Sequence, residues 1–259
     1  MHFELCTAIS KIRARGVQIM SLLRRFLDLV LPSSCAYCSS PIEGSTVPFF
    51  CSTCWSDFSV LPGPFCPSCG RPFESSEALS HSPAHECHAC RLQPPRFDQA
   101  LSVGYFEGSL REAIHQFKYR PCRALGKPLG TWMCANLRVL TSIDIIMPVP
   151  LHSSRLRHRG FNQALLLASP LSTASGISLC YDNLWRIRPT RPQVELSGED
   201  RIRNVAGAFA LRRPQDVSGL SVLLVDDVFT TGATLNECAD VLKIAGAASV
   251  TALTLARAL

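Results

Sequence analysis

The sequence predicts an α/β protein, a mostly parallel sheet flanked by helices, preceded by a small cysteine-rich domain. Three observations carry this. From about Ala100 to the C-terminus apolar runs alternate with amphipathic segments, the order expected of a parallel sheet covered on both sides. One run, Val222–Val225, is wholly apolar and leads into Asp226, Asp227 and a hydroxyl- and glycine-rich turn, as a buried strand feeding a helix does. Eight of the thirteen cysteines form four C-x-x-C pairs in the N-terminal third.

Taken in order, strands are expected at Ala100–Tyr105, Ile143–Val149, Ser178–Trp185, Ser221–Asp226 and Ser249–Leu255. Helices are expected at Leu110–Lys118, Leu125–Leu137, Asn162–Ala168 and Thr234–Ala245. Residues 186–204 hold two prolines and mixed charge without strand or helix period, so a mobile loop is expected there. Residues 1–33 form an N-terminal extension in which Ile19, Leu22, Leu23, Phe26, Leu27 and Val30 keep the spacing of an amphipathic helix. Arg24, Arg25 and Asp28 interrupt this segment well short of a membrane span, and no secretory signal is evident, so a cytoplasmic protein is expected. Met20 is expected as an alternative start. The remaining boundaries are a cysteine module at 34–92 and an α/β domain at 93–259.

The turn after Val225 is the most informative segment. Thr230, Thr231, Gly232, Ala233 and Thr234 offer successive backbone amides at a helix N-terminus, and Gly232 lets the backbone approach an anion closely. Asp226 and Asp227 would repel a phosphate, but carboxylates accept hydrogen bonds from a vicinal diol a few ångströms away. Together they describe a grip for ribose 5-phosphate. A P-loop would need a lysine beside the terminal Thr, and none is present. The plainer alternative is a helix cap with no ligand.

Cys35/Cys38, Cys51/Cys54, Cys66/Cys69 and Cys87/Cys90 are the four pairs, with twelve and seventeen residues inside successive couples. Two Cys₄ zinc ribbons result if consecutive pairs combine; a cross-braced pairing fits the same spacing. Such sites are structural, because four sulfurs leave no position for water. Disulfides or redox pairs are the alternatives, disfavoured by a cytosolic setting and by the absence of a βαβ context. His81, His85 and His88 lie near the last pair and are expected to be solvated or to flank the site. The other five cysteines are scattered singly and read as small buried hydrophobes.

Charge is unevenly placed within a formal total of +6. Ser33–Asp98 has three arginines against six acids, whereas Arg111–Arg213 has sixteen Lys and Arg against six acids. A positive field of that kind attracts pyrophosphate, phosphorylated sugars or nucleic acid.

The Val222–Thr234 segment resembles the 5-phosphoribosyl 1-pyrophosphate (PRPP) loop of type I phosphoribosyltransferases. The whole chain from about Leu31 resembles the ComF-like competence proteins. The resemblance also rests on the cysteine pairs, Phe117–Tyr119 (F-K-Y), Pro148–Leu151 (P-V-P-L), Arg159–Ala164 (R-G-F-N-Q-A), Thr190–Gln193 (T-R-P-Q) and Arg201–Phe209. It implies a type I phosphoribosyltransferase fold with Asp226 and Asp227 at the catalytic centre and Thr230–Thr234 on the 5′-phosphate. It also implies Arg155, Arg159 and Gly160, with Asn162 and Gln163, on the pyrophosphate side. A closing loop would contribute Arg188, Gln193, Arg201 and Asn204. Two structural zinc ions, magnesium with PRPP, and single-stranded DNA with the DNA-uptake machinery are the cofactors and partners it suggests. Enzyme, PRPP-sensing DNA-binding module and purine- or gluconate-linked regulator all remain open, and no acceptor motif is readable.

Overall fold

The computed structural model of the chain describes residues 34–42, 44–75, 82, 84–120, 122–137, 142–190 and 198–259. The expected N-terminal helix, Met20, His81 and Gln193 lie outside them. The described residues fall into two compact units, one ending at Ser56 and the other running from Asp57 to Leu259.

The first unit contains α1 (Ser52–Ser56) and one four-cysteine cluster, with Phe50 fully buried against Trp55. The second begins with the other cluster and α2 (His88–Leu92), then β1 (Gln99–Tyr105), α3 (Gly108–Tyr119), α4 (Gly126–Ala135) and β2 (Ile145–Pro148). There follow α5 (Ser153–Arg159), α6 (Gln163–Ser175), β3 (Ser178–Leu179), β4 (Leu184–Arg186), α7 (Gly198–Val205) and β5 (Phe209–Leu211). The chain closes with β6 (Ser221–Phe229), α8 (Ala233–Ile244) and β7 (Ser249–Arg257).

Five strands form a parallel sheet in the order β1-β7-β6-β2-β3. β6 lies at its centre, and its Val222, Leu223, Leu224 and Val225 are all 0% exposed. Each such side chain contributes roughly 1.5–3 kcal/mol on burial, so the apolar run fixes β6 as the core strand. α8 covers it with Leu235, Cys238, Ala239 and Leu242, spaced i, i+3, i+4, i+7 on one face. The outer edge of β1 is capped by the second ribbon's own segment: Ala100 N donates to Ser68 O at 2.8 Å and Leu61 N to Val103 O at 2.9 Å. A covered edge offers no template for pairing with another chain. The knuckle approaches so closely that a Cβ on Gly70 would lie 2.3 Å from Ala100 O.

Four sequence expectations change. The strand expected to end at Asp226 continues to Phe229, because β7 pairs with it through Phe229↔Arg257 even though β2 stops at Pro148↔Val225. The strand expected over Ser178–Trp185 breaks in two: β3 joins the sheet, while β4 pairs antiparallel with β5 in a separate ribbon. Asn183, fully buried, makes the break by donating to Arg213 O and accepting from Arg213 N. The helix expected to stop at Ala168 runs through Pro170 to Ser175, since that proline's ring seats over Gly130 of α4, where a Cβ would be 2.8 Å from its Cγ. Finally, α5 and α7 occupy segments in which no helix was expected; both are short, of seven and eight residues, and too polar to carry an apolar stripe.

Candidate active site and metal clusters

Beyond Val225, β6 has lost its β2 neighbour, and a cleft of about 260 Å³ occupies the place where that strand would have continued. This is the carboxyl end of the central strand, where parallel sheets bind ligands. Asp226 and Asp227 both line it. Successive strand residues point to opposite faces, so the two carboxylates reach the cleft from different sides. Lys118 Nζ lies 2.8 Å from Asp227 Oδ1, while Asp226 faces the buried Arg186 and the Cys238 thiol. Asp227 N also donates to Asp226 Oδ1 at 2.8 Å. Burial, followed by repulsion from Asp227, pushes the Asp226 carboxyl up to about 7. One proton on this acid near neutrality is the electrostatic signature of two neighbouring carboxylates.

The opposite wall is cationic. α5 projects Arg155, His158 and Arg159 toward the cleft at i, i+3 and i+4, one helical face. Arg155 Nη2 donates to Thr190 O at 3.1 Å, and Arg159 Nη1 to Gln163 Oε1 at 3.2 Å. Arg186, 7% exposed, hydrogen-bonds Thr190 Oγ1 and lies over the Phe209 ring, 5.2 Å from its centroid, while its Nε has no hydrogen-bond partner. Burial, with Arg155 nearby, pulls its guanidinium down to about 10. Arg155 is lowered by the same burial and by Arg159. One buried guanidinium and the half-buried Arg155 and Arg159 thus make this wall strongly positive, a field that attracts anions.

The turn after Phe229 leads directly into α8. Gly232 has φ +75 and caps the N-terminus of α8, and a Cβ there would lie 2.6 Å from the Phe229 ring. Thr230, Gly232, Ala233 and Thr234 surround a small hollow of about 20 Å³ together with Asp226, and Ala233 N donates to Thr231 Oγ1 at 3.4 Å. Thr234 lines the main cleft as well.

The other expected residues separate. Asn162 and Gln163 border the cleft but are used to build it: Asn162 caps α6 through Ala164 N and donates to Val149 O, and Gln163 donates to Phe117 O. Gly160, φ +76, ends α5 and is not among the lining residues. Arg188 donates to Asn204 O and Ala206 O and also stands outside the cleft. Arg201 and Asn204 lie on α7. Lys118, Tyr119, His158 and Arg186 were not singled out as site residues from the sequence. Lys118 sits in the F-K-Y block, but only the fold shows that the last turn of α3 faces β6.

The cysteines resolve into the consecutive pairing. Cys35, Cys38, Cys51 and Cys54 form one cluster and Cys66, Cys69, Cys87 and Cys90 the other, with all ligand sulfurs of a cluster within 4.8 Å of one another. Zinc–sulfur bonds of about 2.3 Å in a tetrahedron set sulfurs about 3.8 Å apart. Cys38 to Cys51 is 3.7 Å and Cys69 to Cys87 is 3.6 Å. Backbone amides support the knuckles, Cys54 N to Cys51 Sγ and Cys87 N to Cys66 Sγ. Both donor sets therefore fit a tetrahedral, thiolate-loving ion, which would be structural. His85 stacks near Phe73 and His88 opens α2; neither belongs to a four-sulfur set.

Known proteins share this arrangement. Residues 26–91 match the double zinc ribbon domain, and residues 162–259 match the phosphoribosyl transferase domain. The chain is 33% identical over 237 residues to the DNA utilization protein YhgH of Salmonella typhi, covering 89% of this chain and 100% of that protein. It is 30% identical over 223 residues to competence protein F of Haemophilus influenzae, covering 81% and 97%. With competence protein ComFC of Bacillus subtilis it shares 28% identity over 216 residues, covering 80% and 83%. The chain belongs to this ComF-like family, in which a double zinc ribbon precedes a phosphoribosyltransferase domain. Among the described residues no helix is long and apolar enough to cross a membrane.

Proposed function

We propose that the cleft binds PRPP and transfers its phosphoribosyl group to a nitrogen acceptor with release of pyrophosphate, in the service of DNA uptake or use by the cell. The observation that carries this reading is that adjacent carboxylates and a wall of cations line one cleft, which shares Asp226 and Thr234 with the small hollow at the helix-N-terminal turn. The relatives' names, competence protein and DNA utilization protein, support the cellular setting.

In this reading the ribose diol donates hydrogen bonds to Asp226 and Asp227, and the 5′-phosphate accepts from the amides of Thr230–Thr234. Arg155, Arg159 and Arg186 receive the pyrophosphate. The acceptor nitrogen attacks the anomeric carbon as the bond to pyrophosphate breaks, and the electron pair leaves with that group. Fixed cations at the leaving oxygens stabilise the charge where it develops. The acceptor's proton passes to a carboxylate. Asp227 is engaged by Lys118, whereas burial pushes the Asp226 carboxyl up to about 7, so Asp226 is the better matched base. Magnesium, carried with PRPP on ligand oxygens and waters, would neutralise phosphate charge in front of these acids. Residues 186–204 would close over the ligand and exclude water.

A second reading, a non-catalytic PRPP sensor that binds single-stranded DNA, is favoured by Trp185, 40% exposed on β4 with the Arg212 guanidinium 3.3 Å over its ring. Aromatic and arginine planes of this kind stack on bases. Calorimetric PRPP–magnesium binding followed by a pyrophosphate-release assay with nucleobases and DNA separates the two. Turnover supports the transferase; binding without turnover, with salt-sensitive retention of single strands, supports the sensor; no binding of PRPP refutes both.

A further inference from the structure

Arg257, the last residue of β7, is 6% exposed and has no carboxylate ion pair among the described residues. A buried guanidinium needs a negative partner. Here that partner is sulfur: Nη1 donates to Cys69 O at 2.6 Å and Nη2 to Cys69 Sγ at 3.6 Å, with Cys87 also close enough to act on its charge. Four thiolates on a divalent ion leave the second cluster formally at about −2, so the loaded cluster is what makes this burial tolerable. The guanidinium also lies over the Phe229 ring, 4.1 Å from its centroid. That ring is backed by Phe97 and forms the floor under Gly232, which has no room for even a Cβ above it.

A contiguous stack thus runs from Cys69 through Arg257 and Phe229 to the turn at Gly232. We propose that Arg257 is a positioning residue that makes the phosphate turn depend on the metal-loaded state of the Cys66, Cys69, Cys87 and Cys90 cluster. The zinc ribbon then sets the order of the ligand site besides stabilising its own fold. Outer partners of metal ligands generally tune metal retention as well. The idea deepens the PRPP reading and rests on it for the ligand, though not for the turn.

Hydrogen exchange of a peptide spanning Thr230–Ala233, with zinc counted by native mass spectrometry, tests it on the full chain. Chelation of the wild type is expected to speed exchange at the turn about tenfold or more while a control peptide in α6 is unchanged. Arg257→Met, with its zinc still bound, should show the same loosening and should lose zinc to a chelator about 10- to 100-fold faster; Arg257→Lys should fall between. Unchanged exchange at the turn after metal removal would overturn the proposal, as would loss of protection in α6 at the same rate. If Arg257→Met does not fold, chelation of the wild type decides alone. PRPP titration of the same samples separates the two ideas: failure of the zinc-loaded wild type to bind PRPP counts against the ligand reading, whereas exchange at the turn judges Arg257.

Discussion

Lys118 Nζ approaches Asp227 Oδ1 to 2.8 Å, the side chains being only 20% and 12% exposed. The last turn of α3 thereby supplies the counter-charge to an acid on β6 that already has a second acid beside it. Removing one member of a buried pair leaves the other uncompensated. Lys118→Met should therefore destabilise the protein at pH 8 by roughly 1–3 kcal/mol, less than a fully buried pair would lose. The loss should shrink near pH 5, where Asp226 carries a proton. Urea melts at the two pH values check this; equal losses would show that Lys118 contributes packing and little charge compensation.

Asp226 gives the protein a pH dependence of unusual sign for a carboxylate. Its proton affinity is higher in the folded chain, about 7, than the ordinary value of 3.8. The folded state therefore binds more protons than the unfolded state between these values, and stability from this group is present at acid pH and is lost as pH rises toward 7. Asp226→Asn should raise the melting temperature of the ligand-free protein at pH 8, by up to about 4 kcal/mol of stability, while weakening PRPP–magnesium binding by about tenfold or more. Thermal melts from pH 5 to 8 should show the difference from wild type growing with pH. A difference that is constant across the range would mean that Asp226 is not the titrating acid.

Much of this site was legible before the fold was known, for a physical reason. The acids and the turn are consecutive in sequence, and a strand followed by a helix N-terminus dictates their geometry locally. The four C-x-x-C knuckles were legible likewise, although pairing them needed three dimensions. Lys118 and Arg186 were not recovered, since each reaches the cleft only through the sheet order β1-β7-β6-β2-β3 and the β4–β5 ribbon. The Arg155–Arg159 cluster was recognised by its density of charge, yet its helix was missed: seven residues with Leu156 as the one apolar side chain carry no apolar period, and α5 is defined by its caps, His152 at one end and Gly160 at the other.

Gly232 combines a left-handed backbone with contact against Phe229. Gly232→Ala should cost about 1–3 kcal/mol from backbone strain, with further loss if the ring must shift. It should also remove inorganic phosphate binding at the turn. A variant with unaltered stability and phosphate affinity would show that the turn is not the rigid cradle described.

Arg186 is desolvated and has an unsatisfied Nε. Arg186→Met is expected to leave thermal stability nearly unchanged, because an apolar chain replaces a costly buried charge, while pyrophosphate affinity falls about tenfold or more. Calorimetry with pyrophosphate and magnesium checks both parts. Stability lost with affinity retained would make Arg186 a structural residue of the β4–β5 ribbon.

The most direct test of the central claim is a crystal structure with PRPP and magnesium bound. The ribose hydroxyls should lie within hydrogen-bond distance of the Asp226 and Asp227 carboxylates, the 5′-phosphate should rest on the amides of Thr230–Thr234, and the pyrophosphate should face Arg155, Arg159 and Arg186. Density for the ligand elsewhere, or an empty cleft at saturating PRPP, would contradict it.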